Sequence, residues 1–339
     1  MSHSDNLHSF LFQVADDSQG KRILNELEAD GIDTSFIVVS QPQKTRTSIY
    51  TPGYPPMVAD DLPYSSLSSA LDGARLVYTD GALHEVALIV AQEAHQRSIP
   101  IVIDAERKIE GLDELLHLAT YIVCSTRFPQ ASYFFCRIVS QIWTEAPSLA
   151  GGLISILLKL PSAKFVIATL GEDGCIMLER AETGDIQPEV DIDGLFEKMK
   201  QSIDTTSTLL TFKTSDFIYV FGLTKCLELL FLYFISFKSQ LFIWKCPFRM
   251  LQSCTRKGLG LCGRLLVGTA EKIPSLEIVD TTGAGDAFVG AVLYSLCANF
   301  PPEKMLMFAS QVAAIGCRAL GARAGLPHLT DPRLSPFLA

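Results

Sequence analysis

The clearest indication of the fold class is the segment RLVYTDGALHEVALIVAQEAHQRSIPIVID, residues 75–104. Arg75–Thr79 predicts a buried strand, and Asp80-Gly81 predicts the turn that ends it. Leu83–Arg97 repeats its apolar residues at the spacing of a helix, and Ile99–Ile103 predicts a second strand that ends at Asp104. A strand, a helix and a strand in this order predict a βαβ unit with parallel strands.

The same alternation continues on both sides of this unit. Further predicted elements are a helix after Ser18, a strand over Phe36–Val39, a helix over Leu112–Leu118, and strands over Tyr121–Cys124, Phe165–Thr169 and Cys175–Leu178. The pattern predicts an α/β fold, in which a mostly parallel sheet has helices on both faces. In such sheets ligands bind at the carboxyl ends of the strands.

Composition excludes several classes of protein. The chain has 339 residues and a formal net charge of −9, which argues against a nucleic-acid-binding surface. Its nine cysteines are scattered, without CxxC pairs, which predicts a reducing compartment and no structural zinc. Met1–Asn6 is polar, so no secretory signal is visible, and we expect a cytoplasmic location while leaving organelle targeting open.

Two segments break the α/β pattern and are interpreted as insertions. The first, 131–142, is aromatic and patternless, and the second, 217–257, is apolar and then basic. A core helix is an alternative for the second segment. A membrane anchor is a more distant alternative, because Lys225, Glu228 and Lys238 interrupt its apolar run.

The strongest chemical signal is the string Asp280-Thr-Thr-Gly-Ala-Gly-Asp286, which we call the glycine turn. An apolar helix follows it, so Gly283 and Gly285 lie where a loop enters a helix. Backbone N–H groups at a helix N-terminus lack intrahelical acceptors and favour an anion, and glycine lets a phosphate approach closely. A carboxylate beside such a turn suits a general base, which predicts this role for Asp286. The alternative is a merely tight turn in which Asp286 stabilises the helix N-terminus.

The whole string Val279–Ala291 resembles the C-terminal signature of the PfkB (ribokinase-like) carbohydrate kinase family. The resemblance implies that Gly283, Ala284 and Gly285 form the anion hole for the transferring γ-phosphoryl and that Asp286 is the catalytic base. It also implies ATP with Mg²⁺ as cofactors and a small hydroxyl-bearing substrate, with a homodimer left open.

Other parts of the chain are similar to the same family. Asp280 and Thr282 would lie near a monovalent cation such as K⁺. Thr169-Leu-Gly-Glu-Asp-Gly174 resembles the segment that borders the nucleotide, so Thr169, Gly171 and Gly174 are candidate nucleotide-binding residues. The loop Gly321–Pro327 resembles the family's final nucleotide-side loop, which adds Gly321. By itself, the Thr169–Gly174 segment would be only a strand followed by a turn.

The resemblance implies a ribokinase-like three-layer sandwich over residues 14–330 as a single domain, with a reduced β lid whose strand lies near 45–51. Family-like sequence starts at Val14, so the predicted sheet is incomplete at its N-terminus, and the sugar-holding Gly-x-x-x-x-Asp and Gly-Gly-x-x-x-Asn elements have no match. At the place of the family's Asn-x-x-Glu motif the chain has Ser125 and Phe128.

Two hypotheses follow from this resemblance and these departures. In the first, the protein is an ATP-dependent kinase of a small sugar-like or nucleoside substrate. In the second, it is a catalytically impaired member of the family that binds nucleotide without efficient phosphoryl transfer. The glycine turn supports kinase ancestry in both cases.

Overall fold

The structure is a computed structural model. It describes residues 13–16, 18–35, 37–40, 56–106, 111–126, 128, 148–181, 192–201, 211–213, 218–221 and 260–338. The chain divides into two compact units, Met1–Ile101 with Ile109–Leu118, and Val102–Lys108 with Ala119–Ala339. A single domain over 14–330 therefore stays a prediction.

The first unit packs helices over a small apolar core. Its described elements are β1 (Gln13–Ala15), α1 (Ser18–Ala29), β2 (Val38–Ser40), α2 (Tyr64–Leu71), β3 (Val77–Thr79), α3 (His84–Gln96) and α4 (Leu112–Leu118). Strands β1 and β2 pair in parallel. The core consists of buried apolar side chains from α2, α3 and the segment before α2: Met57, Leu62, Leu67, Leu71, Val86 and Val90. Arg97 donates to the Ser68 carbonyl at 3.1 Å and to Glu93 at 2.8 Å, which ties α3 to α2.

The second unit contains the glycine turn. Its described strands are β4 (Ile101–Ala105, whose first residue belongs to the first unit), β5 (Tyr121–Ser125), β6 (Phe165–Thr169), β7 (Cys175–Arg180), β8 (Thr211–Lys213), β9 (Ile218–Phe221) and β10 (Gly260–Gly268). Its described helices are α5 (Leu149–Lys159), α6 (Ile192–Gln201), α7 (Ala284–Cys297), α8 (Pro302–Gly316) and the short α9 (Ser335–Leu338). The glycine turn leads directly into α7.

The sheet of the second unit has a parallel and an antiparallel half. Strands β4, β5 and β6 pair in parallel. Strand β7 then pairs antiparallel with β6 and with β10, and β10 pairs antiparallel with β8 and β9. All five residues of β4 are buried. This agrees with the continuous apolar sequence of the strand up to Asp104, which is expected of a strand covered on both faces.

The register brings several strand ends to one edge of the sheet. Ala105 of β4 pairs with Cys124 of β5, and Ser125 of β5 pairs with Thr169 of β6. The carboxyl ends of all three strands therefore lie side by side. Neighbouring strands are spaced by about 5 Å, so Thr169 lies roughly 10 Å from the end of β4. This is the edge at which ligands bind in α/β proteins.

The predicted α/β fold is confirmed, including the strands and helices of residues 75–125 to within about two residues at each boundary. The turn Gly171–Gly174 makes β6 and β7 antiparallel, because a parallel connection requires a dozen or more residues. The lid strand near 45–51 and the insertion 131–142 lie outside the described residues. Of the segment 217–257, residues 218–221 are described, and they form β9 on the sheet.

No helix in the described part of the chain combines the length and the apolar character that crossing a bilayer requires.

Candidate active site

Within the glycine turn, Gly283 packs closely against the loop that follows α8. This residue is the N-cap of α7 and has a φ of 76°, in the left-handed region that favours glycine. A Cβ added there would lie 2.5 Å from Cβ and 2.8 Å from Cα of Ala322. Backbone conformation and close packing therefore both require glycine at this position. The predicted entry from a loop into a helix at Gly283 is confirmed.

Asp280 holds the beginning of the turn in place. Its Oδ1 accepts hydrogen bonds from the Thr282 N–H at 2.9 Å and from Thr282 Oγ1 at 2.7 Å, and its Oδ2 accepts one from the Gly321 N–H at 2.8 Å. These three bonds, the backbone bond from Thr282 foremost, lower the pKa of Asp280 below its usual range, since they favour the charged form. One carboxylate thus connects the turn to the loop that begins at Gly321.

Gly285 and Asp286 have different surroundings. Gly285 is exposed, and apart from its chain neighbours and the backbone of its own helix no atom of the described residues lies within 4 Å of the position of an added Cβ. Asp286 is exposed in the first turn of α7. Packing in the described part of the chain gives no reason for glycine at 285, and its absent side chain leaves room at a helix N-terminus, where an anion is favoured.

The carboxylates of two further residues lie close to that of Asp286. Asp104, in β4, and Glu106, just after it, each place a carboxylate oxygen within 4.8 Å of the others and of Asp286. Asp104 is buried, whereas Glu106 and Asp286 are exposed. The sequence pattern predicts that the strand ends at Asp104 but does not connect this residue with Asp286. Asp104 could have been suspected as a site residue, because it is the first polar residue of an apolar strand and lies at the carboxyl edge of the sheet.

The candidate nucleotide residues of the β6–β7 turn have structural roles of their own. The Thr169 hydroxyl donates to the Cys124 carbonyl at 3.4 Å. Gly174 has a φ of 93° and is buried against the backbone of Gly268, where a Cβ would overlap the carbonyl oxygen. Gly171 has a φ of 62° and is exposed, with open space around it among the described residues. A nucleotide role for these three residues stays a prediction.

Phe128 stands where the resemblance expects a glutamate, and its side chain belongs to the buried core. Phe128 is 1% exposed, so no polar side chain is presented from it. Three residues earlier, Ser125 Oγ donates to the Glu106 carbonyl at 3.3 Å. Ser125 therefore lies beside the acidic group, whereas Phe128 packs inside the protein.

Comparison with solved structures identifies the class of fold as ribokinase-like. The crystal structure of ribokinase from Thermotoga maritima matches 97% of this chain and 80% of its own chain, with a TM-score of 0.53 and 15% identity. An adenosine kinase from Anopheles gambiae matches 94% of this chain and 76% of its own, with a TM-score of 0.55 and 14% identity. At these identities the likeness concerns the fold.

Comparison of sequences adds the family. Residues 267–329, which contain the glycine turn and the Gly321 loop, match the model described as pfkB family carbohydrate kinase. Mouse ribokinase is 36% identical over 87 residues, which cover 23% of this chain and 27% of the mouse protein. Aminoimidazole riboside kinase from Salmonella typhimurium is 42% identical over 89 residues, 24% of this chain and 28% of that enzyme.

The chain thus spans little more than a quarter of the length of these two relatives. The resemblance to the PfkB family that the glycine turn predicts is confirmed, on a ribokinase-like fold.

Proposed function

We propose that the protein is an ATP-dependent kinase that phosphorylates a hydroxyl group of a small sugar-like or nucleoside substrate. The observation that carries the proposal is the placement of Asp286 one residue past Gly285, at the exposed start of α7 and beside the carboxylates of Asp104 and Glu106. The names of the relatives, ribokinase and aminoimidazole riboside kinase, support the substrate class.

In the proposed reaction Asp286 is the general base. A substrate hydroxyl attacks the γ-phosphorus of ATP, the new O–P bond forms as the bond to the ADP oxygen breaks, and the hydroxyl proton passes to Asp286. The backbone N–H groups of Gly283 and Gly285 would hold the charged oxygens of the γ-phosphoryl, aided by the positive end of the α7 dipole. The Ala284 N–H donates to the Thr281 carbonyl at 3.2 Å, and it would join the anion hole by exchanging that bond for one to the phosphoryl. Thr169, Gly171, Gly174 and Gly321 would border the nucleotide.

The acidic group has the donor chemistry for a divalent metal ion. Mg²⁺ prefers oxygen ligands and is commonly held by one or two carboxylates together with substrate phosphates. Asp104 and Glu106 would hold the ion, which leaves Asp286 for the proton. When bound, Mg²⁺ neutralises charge on the phosphates of ATP. It would also offset the repulsion among three carboxylates whose oxygens lie within 4.8 Å.

Asp280 and Thr282 are proposed to border a monovalent cation such as K⁺. Oδ1 of Asp280 already accepts two hydrogen bonds from Thr282, and Oδ2 accepts one from Gly321. A carboxylate oxygen has two lone pairs, so Oδ2 has room for a cation besides the Gly321 N–H. The ion would strengthen the connection between the glycine turn and the Gly321 loop.

A second candidate function is nucleotide binding without efficient transfer. Phe128, buried where the resemblance expects a glutamate, favours it, because one carboxylate expected near Mg²⁺ and phosphate is replaced by a core side chain. Under this alternative Asp104 and Glu106 do not compensate for the missing group, and ATP binds at the glycine turn without productive alignment.

The test is ATP consumption by the 339-residue chain against a panel of sugars and nucleosides, with and without Mg²⁺. Calorimetric titration of ATP runs in parallel. Substrate-dependent ADP release that requires Mg²⁺ supports the kinase. ATP binding without substrate-dependent release over the whole panel supports the second candidate. A chain that binds no ATP would refute both.

A further inference from the structure

The side chain of Arg318 contacts the loop that leads into the glycine turn at two glutamates. This entry loop, residues 271–279, connects β10 with Asp280. Arg318, two residues past the end of α8, donates from Nη2 to Glu271 Oε1 at 2.7 Å and from Nη1 to Glu271 Oε2 at 3.4 Å. Its Nε donates to Glu277 Oε2 at 3.1 Å. A single guanidinium therefore reaches both ends of the entry loop.

The same guanidinium is itself anchored to α8. Its Nη1 donates to the Ala314 carbonyl at 2.9 Å, and Gln311 of the same helix donates to Glu271 Oε2 at 2.7 Å. The planar fork of arginine fits this arrangement, since it can donate to a carboxylate through two nitrogens and to other acceptors at once. Helix α8 thus serves as a rigid support for the entry loop.

The backbone around Arg318 holds the glycine turn as well. The Cys317 carbonyl accepts hydrogen bonds from the N–H groups of Val279, at 2.9 Å, and Asp280, at 3.3 Å. The Gly321 N–H donates to Asp280 Oδ2. Residues 317–321 therefore contact the entry loop through the Arg318 side chain and the glycine turn through the backbone on either side of it.

Burial of apolar side chains contributes little to holding the entry loop, because Ile273 is its only half-buried apolar residue and none is fully buried. Leu276 is 99% exposed, and Ile278 and Val279 are also largely exposed. By contrast, the side chains of Arg318 and Glu271 are only 20% and 22% exposed, so their bidentate pair is partly shielded from water. Glu277 is 53% exposed, and an ion pair at such a position contributes little. The Arg318–Glu271 pair therefore joins the loop to the end of α8 in a partly shielded place, beside the bond from Gln311 to the same carboxylate.

We propose that Arg318 is a positioning residue for nucleotide binding, which acts by holding the entry loop, and through it the glycine turn, against the end of α8. This inference rests on the proposed function, in that the glycine turn is taken as the site of the ATP phosphates. Arg318 does not touch the nucleotide in this scheme.

The test compares five substitutions in the full chain by calorimetric ATP titration and thermal unfolding: two at Arg318, one at each of its carboxylate partners, and one at a control arginine. Arg318→Met removes the ion pairs while keeping much of the apolar stem, and Arg318→Lys restores the charge without the fork. Arg264→Met is the matched control, because Arg264 pairs with Glu179 at a similar exposure, 28% and 24%, on β10 and β7.

We expect Arg318→Met to weaken ATP affinity about tenfold, as small displacements of binding groups do, and Arg318→Lys to recover part of the loss. Arg264→Met should lower the melting temperature while leaving ATP affinity within about twofold of the parent. Neither of its partners, Glu179 of β7 and, at 3.8 Å, Glu303 in the first turn of α8, belongs to the entry loop. Glu271→Gln should resemble Arg318→Met, and Glu277→Gln should resemble the parent. An Arg318→Met chain that binds ATP no more weakly than the Arg264→Met chain overturns the proposal.

Hydrogen–deuterium exchange separates this proposal from the proposed function. Peptides over residues 271–286 should exchange faster in Arg318→Met than in the parent, and not in Arg264→Met. If the parent chain binds no ATP, the proposed function fails on its own. Faster exchange over 280–286 then still upholds the positioning of the glycine turn by Arg318, and unchanged exchange refutes it.

Discussion

The two halves of the glycine turn are chemically alike but differ in their surroundings. In the loop half, Asp280–Gly283, the carboxylate accepts three hydrogen bonds from the protein and the glycine packs against Ala322. In the helix half, Gly285–Asp286, the glycine faces open space among the described residues and the carboxylate is exposed beside two others. Each half has one glycine and one aspartate.

This difference indicates that one half of the seven-residue turn has a structural role and the other half a chemical role. In the loop half, contacts with other described residues explain both residue types, because the carboxylate accepts their hydrogen bonds and the glycine packs against them. Packing among the described residues does not account for the residue types of the helix half, since a Cβ at its glycine would meet no other element and its carboxylate is brought towards like charges. We infer that the loop half builds the site and that the helix half serves the ligand.

The largest effect is expected at Gly285. In Gly285→Val a branched side chain would occupy the space at the α7 N-terminus where the phosphoryl group is proposed to bind, which should abolish transfer and weaken ATP binding. Gly290→Val is the matched control, since Gly290 lies in the same helix with equally open surroundings. Equal ATP affinities of the two variants, measured by calorimetry, would show that the turn is not the phosphate site.

The next effect is expected at Asp286. In a substrate-active form, Asp286→Asn should lower kcat by about 10²–10⁴, as for the loss of a general base, with little change in ATP affinity. Its melting temperature should stay the same or rise, because one of three neighbouring negative charges is removed. Asp280→Asn should instead lower the melting temperature, since an amide NH₂ would face the N–H donors of Thr282 or Gly321. Near-normal turnover of Asp286→Asn would contradict the assignment of the base.

A smaller effect, on folding rather than on chemistry, is expected at Gly283. Gly283→Ala places a Cβ against Ala322 at a φ of 76°, and strain of this kind costs about 1–3 kcal/mol. Gly285→Ala should leave the free energy of unfolding unchanged or slightly increased, because alanine favours a helix over glycine. Urea unfolding of both variants measures the difference, and equal stabilities would remove the distinction between the halves.

The smallest effect concerns pH. Because hydrogen bonds lower the pKa of folded Asp280, its contribution to stability is present above the unfolded aspartate pKa of about 3.9 and is lost as the pH falls through the lower folded value. The parent chain should therefore lose more stability than Asp280→Asn between about pH 5 and pH 2. Thermal unfolding across this range measures it. Parallel pH profiles would show that the carboxylate is not stabilised by the turn.

Much of the parallel half of the fold could be predicted from local pattern. The strands over 99–103, 121–124 and 165–169 are predicted because buried parallel strands are apolar throughout and are bounded by turns. The antiparallel pairing of β7 with β6 was not anticipated, although the short Gly171–Gly174 turn indicates it. The buried position of Phe128 could not be predicted, since burial of a single aromatic residue depends on contacts distant in sequence.

The parallel core and the glycine turn could be predicted from the sequence, because alternation of strands and helices and a glycine-rich helix entry are properties of contiguous residues. What surrounds the turn depends on the tertiary structure. Asp104 and Glu106 reach Asp286 because β4 ends at the edge where α7 begins, and Arg318 reaches Glu271 because α8 returns beside the entry loop. These contacts depend on how elements distant in sequence pack together, and the local spacing of apolar residues does not predict them.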